Sequence, residues 1–200
     1  LGASQVAISV TDGASYGDLY QWGRSADGHQ CRTSGTTTVL STTTAPEHGD
    51  FIISRNGSSD WLTPQDDNLW QGIAGINNPC PSGYRLPTET ELNNERLSWT
   101  YDDDVSAFES PLKLTIGGSR SSYYGDTRNG RNGSGMYWSS GTFSGTRSRM
   151  LVFNSRDSYM SYDHRAEGMS VRCTKNIDNP PPPTPVYCTG SATTIVDVTN

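Results

Sequence analysis

Asp102-Asp103-Asp104 and Asp66-Asp67-Asn68 put hard oxygen donors side by side, the ligand type that calcium takes. Neither run has the spacing of an EF-hand loop, and consecutive carboxylates also form solvated turns. Calcium at Asp102, Asp103 and Asp104 is therefore the metal reading that the sequence admits, and no other cofactor is indicated. Gly13-Ala14-Ser15-Tyr16-Gly17 matches G-x-S-x-G. A nucleophile elbow must follow a buried strand of a large α/β sheet, which this stretch does not offer, so the match reads as chance. His29, His48 and His164 are scattered over polar segments with no carboxylate at a telling spacing, and surface positions are expected for all three. Cys31, Cys80, Cys173 and Cys188 show neither C-x-x-C spacing nor paired histidines, which disfavours zinc and makes two disulfides the simpler reading. No enzymatic constellation emerges.

Carbohydrate offers a different chemistry. Tyr123, Tyr124, Tyr159 and Tyr162 lie in stretches that read as Gly/Ser-rich loops, and an exposed ring can cover the apolar C–H face of a pyranose. Core packing or burial in an interface explains such tyrosines equally well. Asn56-Gly57-Ser58 and Asn132-Gly133-Ser134 are acceptor sequons on expected loops, so Asn56 and Asn132 are candidate glycosylation sites.

The chain that carries these groups has 200 residues, enough for one domain with a real core plus an arm. A net charge of −6 argues against a phosphate-binding surface, because a nucleic-acid partner needs clustered Lys and Arg. No apolar run approaches the roughly 20 residues of a membrane span. Abundant Gly, Pro, Ser and Thr beside only 18% charged residues describe a loop-rich, β-leaning protein of the secreted type, in an oxidising compartment. Leu1 stands where a Met would, with no signal-like segment before it, which reads as a processed protein or one repeat of a longer one.

The elements follow from pattern. Tyr16, Leu19, Tyr20 and Trp22 have helix-like spacing with Gly23 as a stop, which predicts a short helix. Thr36 to Thr44 is a hydroxyl-rich stretch without deep periodicity. Asn56 to Asn78 reads as long loops anchored by Trp61, Leu69, Trp70 and Ile73. After Pro87, Thr88 and Glu91 form a capping box that starts a helix running to near Trp99. Leu112-Lys113-Leu114-Thr115-Ile116, Met136-Tyr137-Trp138, Arg149 to Phe153 and Met169 to Cys173 then read as strands of a small antiparallel sheet.

Four of these stretches, taken in order, resemble a known family. Tyr20-Gln21-Trp22-Gly23-Arg24, Asn78-Pro79-Cys80-Pro81-Ser82-Gly83-Tyr84-Arg85-Leu86-Pro87-Thr88, Tyr137-Trp138-Ser139-Ser140 and Ser170-Val171-Arg172-Cys173 resemble the Fibrobacter succinogenes major paralogous domain, over about residues 1 to 175. The resemblance implies an α+β, C-type-lectin-like fold, also similar to the formylglycine-generating enzymes: loop-rich, with a small antiparallel sheet and one or two helices. It implies a place on secreted and surface proteins of Bacteroidota and their relatives, and a long-range bridge between Cys80 and Cys173. That would leave Cys31 and Cys188 as the second pair, either within one chain or between neighbours. With all four cysteines so assigned, no thiolate is left for the chemistry of the sulfatase-activating relatives. Sugar-binding C-type lectins combine Glu-Pro-Asn or Gln-Pro-Asp with Trp-Asn-Asp; this chain has neither, and Trp138-Ser139-Ser140 stands near the place of the latter.

Beyond the domain, Pro180, Pro181, Pro182, Pro183 and Pro185 make a stiff arm, and Thr193 to Thr199, with Ile195, Val196 and Val198, reads as a strand with no partner beyond it. The expected organisation is a domain over 1–176, a linker arm over 177–187 and a strand over 188–200. In the family, a segment like Cys188 to Asn200 precedes the domain, so the tail resembles the opening of a following copy. The expectation is a fimbria-like structural subunit or repeat of an extracellular filament or surface fibre, assembled head to tail with copies of itself by strand donation. A surface adhesin or glycan-binding module is the alternative.

Overall fold

A computed structural model describes residues 1–55, 59–128 and 133–176. Thr88 starts α1 (Glu89–Leu97) as the capping box requires: its Oγ1 accepts the Glu91 amide at 3.2 Å, and Glu91 Oε2 accepts the Thr88 amide at 2.7 Å. Arg85 then forks onto both Glu91 oxygens at 2.7 Å, and these bonds are the main cause that pulls the Glu91 carboxyl down to about 2. A second helix, α2 (Asp104–Glu109), starts where Asp103 Oδ1 accepts the Ser106 amide at 2.8 Å. The middle carboxylate of the acidic run is thus a helix cap.

In chain order the strands are β1 (Tyr20–Gln21), β2 (Thr36–Thr37), β3 (Phe51–Ile52), β4 (Tyr84–Arg85), β5 (Ser119–Arg120), β6 (Thr127–Arg128), β7 (Gly135–Thr142), β8 (Arg147–Phe153), β9 (Ser158–His164), β10 (Gly168–Met169) and β11 (Thr174–Lys175). The longest three form an antiparallel sheet in the order β7-β8-β9. Four two-residue strands pair antiparallel as β1-β10-β5-β6, β4 pairs antiparallel with β11, and β2 runs parallel to β3. The result is a small, loop-rich α+β domain with few helices and several small sheets.

Two sequence expectations fail for backbone reasons. No helix forms over Tyr16–Trp22: Gly17 takes φ +65, β1 occupies Tyr20–Gln21, and the Leu19 and Trp22 amides donate to the distant carbonyls of Gln30 and Arg165. Gly23 still turns the chain, with φ +82. The strand over Leu112–Ile116 does not form: Lys113 takes φ +51, which breaks an extended run although Leu114 and Ile116 stay buried. Met136–Trp138 and Arg149–Phe153 lie in β7 and β8 as expected, whereas only Met169 of the last predicted strand is in a ladder strand, β10.

The β7-β8-β9 sheet is covered on both faces. Trp138, Met150 and Val152 point to one side, into a cluster with Tyr20, Trp22, Trp70, Leu86, Met169 and Val171. Tyr137, Leu151 and Phe153 alternate to the other, against Leu92 of α1 and Ala107 of α2. Gly135 leaves room for the Phe153 ring, since a Cβ there would lie 2.1 Å from Phe153 Cζ. Trp61, Leu62, Leu69 and Ile52 close a third cluster under the long loop, as expected for Trp61 and Leu69, while Ile73 is exposed.

Candidate functional site

Short strands satisfy few main-chain groups, so other donors must serve the loops. Each of four buried indoles donates to a main-chain carbonyl, three of them to a remote segment: Trp22 to Ser139, Trp61 to Trp22 and Trp138 to Tyr20, with Trp70 bonding Asn77 within its own loop, all within 2.7–2.9 Å. Arginines do the rest. Arg24, with no exposed surface, donates to Asp27 Oδ2, Gln21 Oε1 and the carbonyls of Asp50 and His48. Arg120 donates to the Gly125, Cys31 and Ser34 carbonyls while lying 4.4 Å over the Phe51 ring. Arg165 lies 4.6 Å over Trp22 and donates to Ser148 Oγ, the Asp66 carbonyl and the Asp67 carboxylate.

This network absorbs most residues that the sequence singled out for chemistry. His29 is not on the surface: it is fully buried, Nδ1 lies 2.7 Å from Asp27 Oδ1, and Nε2 accepts the Gln21 amide at 3.1 Å. Burial is the largest cause that brings its pKa down to about 4, opposed by the bond to Asp27. Asp60, buried near Arg165, is pushed up to about 6, with burial outweighing the guanidinium. Ser15 sits in a 3-10 turn and donates to the Asp12 carbonyl at 2.7 Å. Asp66 accepts from the Asn68 amide and Asp67 pairs with Arg165. Asp102 accepts from Arg96 and from Ser158 Oγ, Asp103 caps α2, and the Asp104 amide reaches the Asn154 carbonyl. Among the described residues, no three His, Cys, Asp or Glu side chains converge in a way that could hold a metal ion.

Cys80 and Cys173 are joined by a disulfide with Cα atoms 5.8 Å apart. Cys31 is an exposed thiol, and its expected partner Cys188 lies outside the described residues, as do Asn56, Asn132, Pro180, Pro181, Pro182, Pro183, Pro185, Ile195, Val196 and Val198.

The aromatic candidates remain at the surface. Tyr123 and Tyr124 form an edge-to-face pair, ring centroids 4.7 Å apart and more than half exposed, on a turn flanked by Arg55 over Tyr123 and Arg128 over Tyr124. Tyr159 and Tyr162 do not lie in a loop: both belong to β9, three residues apart and so on opposite faces. Tyr162 stacks at 4.0 Å on Phe143, with Arg147 over the first ring and Arg149 over the second. Tyr159 walls a groove of about 580 Å³ floored by Met136 and Val152 and rimmed by Ser134, Asn154, Arg156 and Asp157.

Sequence reasoning missed the arginines and Phe143. A usable signal existed for the former: thirteen Arg against two Lys is the usage expected where planar guanidinium forks, rather than point charges, must serve several acceptors at once. Phe143 follows from the β7-β8 turn, since its amide donates to the Arg147 carbonyl and carries the ring to β9. Among the described residues no helix is long and apolar enough to cross a membrane. The chain matches no protein-family model, and no curated protein or solved structure is significantly similar to it.

Proposed function

We propose that this protein is a structural subunit or repeat of an extracellular bacterial filament, joined head to tail by the strand at 188–200, in a lectin-like domain of the major paralogous type. The observation that carries this reading is how firmly the domain is tied at the root of the arm. Thr174 and Lys175 pair with Arg85 and Tyr84, the Asn176 amide donates to the Gly83 carbonyl at 2.9 Å, and Arg85 Nε reaches Asn176 Oδ1. Directly behind them Cys173 is bonded covalently to Cys80. Tension on the arm would therefore first meet a strand pair and a disulfide that reaches 93 residues back along the chain. Five prolines among residues 180–185 favour an extended chain at about 3.1 Å per residue, so little entropy is lost when the arm carries its strand to a neighbour. A head-to-tail joint that does not close on itself yields an open filament.

Deleting residues 180–200 is expected to leave a folded monomer by sedimentation; fibres that persist would overturn the reading. Mass analysis with and without reductant separates two joints: a ladder that collapses on reduction identifies Cys31 to Cys188 bridges between units, and a ladder that survives identifies tandem repeats.

A second reading, a surface adhesin or glycan-binding module, is favoured by the exposed Tyr123–Tyr124 pair and by Tyr159. Binding on a glycan array that is lost in Tyr123→Ala or Tyr159→Ala would support it, and an array without signal would remove it.

A further inference from the structure

We propose that the acceptor of the donated strand is the outer edge of β9: residues 193–199 of a second copy of this chain add beside it as the fourth strand of the β7-β8-β9 sheet. The inference rests on the strand-donation reading and gives it an address.

Main-chain parity defines the edge. The Asn154 amide donates to the Asp157 carbonyl and the Arg165 amide to the Thr146 carbonyl, each at 3.0 Å, so the odd-numbered residues of this strand face β8. Ser158, Met160, Tyr162 and His164 therefore turn their amides and carbonyls outward. The two ends of that row are already engaged. The Ser158 carbonyl accepts from Arg96, the His164 carbonyl accepts the Glu167 amide, and the His164 amide goes to Asp163 Oδ1. Between them, the amides and carbonyls of Met160 and Tyr162 have no partner among the described residues. They offer four main-chain hydrogen bonds to an incoming strand.

Apart from Asp163 and His164 at its end, the edge lacks the features that keep sheets from adding strands. Its seven residues stay in unbroken register with β8 and include no Pro or Lys and no bulge. The opposite side of the sheet is treated differently. β7 shifts register between Trp138 and Thr142, and its outer groups are taken by Ser170, whose carbonyl accepts the Trp138 amide and whose amide donates to the Met136 carbonyl. Only one side of this sheet invites an addition.

The tail fits that side in length, reach and face. Thr193 to Thr199 is seven residues, as β9 is. Sixteen residues separate Asn176 from Thr193 and in polyproline geometry span about 50 Å, against about 40 Å for the width of a domain of this size. Strand alternation puts Val196 and Val198 on one face and Ile195 and Asp197 on the other. With the valines over the groove of Met136, Val152 and Tyr159, Ile195 and Asp197 fall on the side of Tyr162, Arg147 and Arg149. There an aromatic ring and the Arg147 guanidinium match an aliphatic side chain and a carboxylate, while Arg149 is shared with Glu89.

Two full-length variants test this by sedimentation velocity. Met160→Pro/Tyr162→Pro removes the two outward amides and no bond to β8, a change that an edge strand accepts. Ile195→Pro/Val196→Pro disables the tail, taking one amide from each side of the donated strand. Each variant alone is expected to be monomeric, and their mixture is expected to form a one-to-one dimer, since one retains the tail and the other the edge. Polymers of the β9 variant beside a monomeric tail variant overturn the acceptor and leave strand donation standing; polymers of the tail variant overturn both. If near-UV dichroism shows the β9 variant unfolded, hydrogen exchange decides without it. The Met160 and Tyr162 amides should exchange roughly 100-fold more slowly in the wild-type polymer than in the tail variant, and equal rates overturn the proposal.

Discussion

His29 allows the buried network to be tested through one proton. Nε2 accepts the Gln21 amide and must be bare, so the ring hydrogen sits on Nδ1, against Asp27 Oδ1. A second proton would have to face an N–H donor in a site without exposed surface. Burial, with the Arg24 and Arg120 guanidiniums adding to it, accordingly holds the folded pKa down at about 4, from the ordinary imidazole value of 6.5. Between these values the unfolded chain binds a proton that the native state refuses, so stability falls as pH falls. The linkage integral gives a loss of about 2 kcal/mol by pH 5 and about 3 kcal/mol by pH 4. Asp60 works in the opposite sense. Its folded pKa of about 6 lies above the ordinary carboxyl value of 3.8, so the native state takes up the proton first and gains about 2 kcal/mol over the same descent. These two contributions therefore nearly cancel in the wild-type profile. His29→Gln isolates the term, because a carboxamide keeps one acceptor for Gln21 and one donor for Asp27 and does not titrate. Urea unfolding from pH 7.5 to 4 should show the variant gaining about 3 kcal/mol relative to wild type, and Asp60→Asn losing about 2 kcal/mol. A His29→Gln difference that does not change with pH would refute the assignment.

Arg24→Met should cost about 3–5 kcal/mol in urea unfolding, since it strands Asp27 Oδ2 and the carbonyls of His48 and Asp50; Arg24→Lys should recover less than half, having no fork to reach them together. Cys80→Ala/Cys173→Ala should lower stability by roughly 4–5 kcal/mol from the entropy of a loop closed over 93 residues, and a midpoint unmoved by reductant would contradict that bridge.

Features that follow from a few neighbouring residues could be read from the sequence. The Thr88 to Glu91 capping box determines where α1 starts, whatever packs around it. β7 and β8 are legible because Met136-Tyr137-Trp138 and Met150-Leu151-Val152-Phe153 are buried on both faces and continuously apolar. β9 is not: Ser158-Tyr159-Met160-Ser161-Tyr162-Asp163-His164 has no β-branched residue, and its extended state comes from register with β8. The Asp102-Asp103-Asp104 run is ambiguous for a physical reason, since the carboxylate that suits a cation equally suits the free amides of a helix N-terminus, and α2 begins there. His29 read as a surface group because its partners Gln21 and Asp27 are polar; only the fold reveals that the guanidiniums of Arg24 and Arg120 neighbour it below the surface.

The manner of stabilisation also bears on how a unit of this kind could be joined to another. A domain closed mainly by long ladders protects its edges by pairing them, whereas here most strands have two residues and the loops are satisfied by arginine forks and indole N–H groups. Those donors act from within, each indole on one carbonyl and the guanidiniums on several acceptors at once, so the interior is cross-linked without using the periphery of the sheet. The β7-β8-β9 sheet can then keep one side chemically open at no cost to the core, because the buried apolar residues of β7 and β8 are already covered on both faces. Strand addition at such an edge would exchange hydrogen bonds to water for hydrogen bonds to a neighbour while leaving the core packing unchanged. A subunit held together in this way would be fully folded before any joining to a neighbour. Assembly would then be set by access to Met160 and Tyr162 and by the reach of the arm, not by any refolding of the domain that carries them.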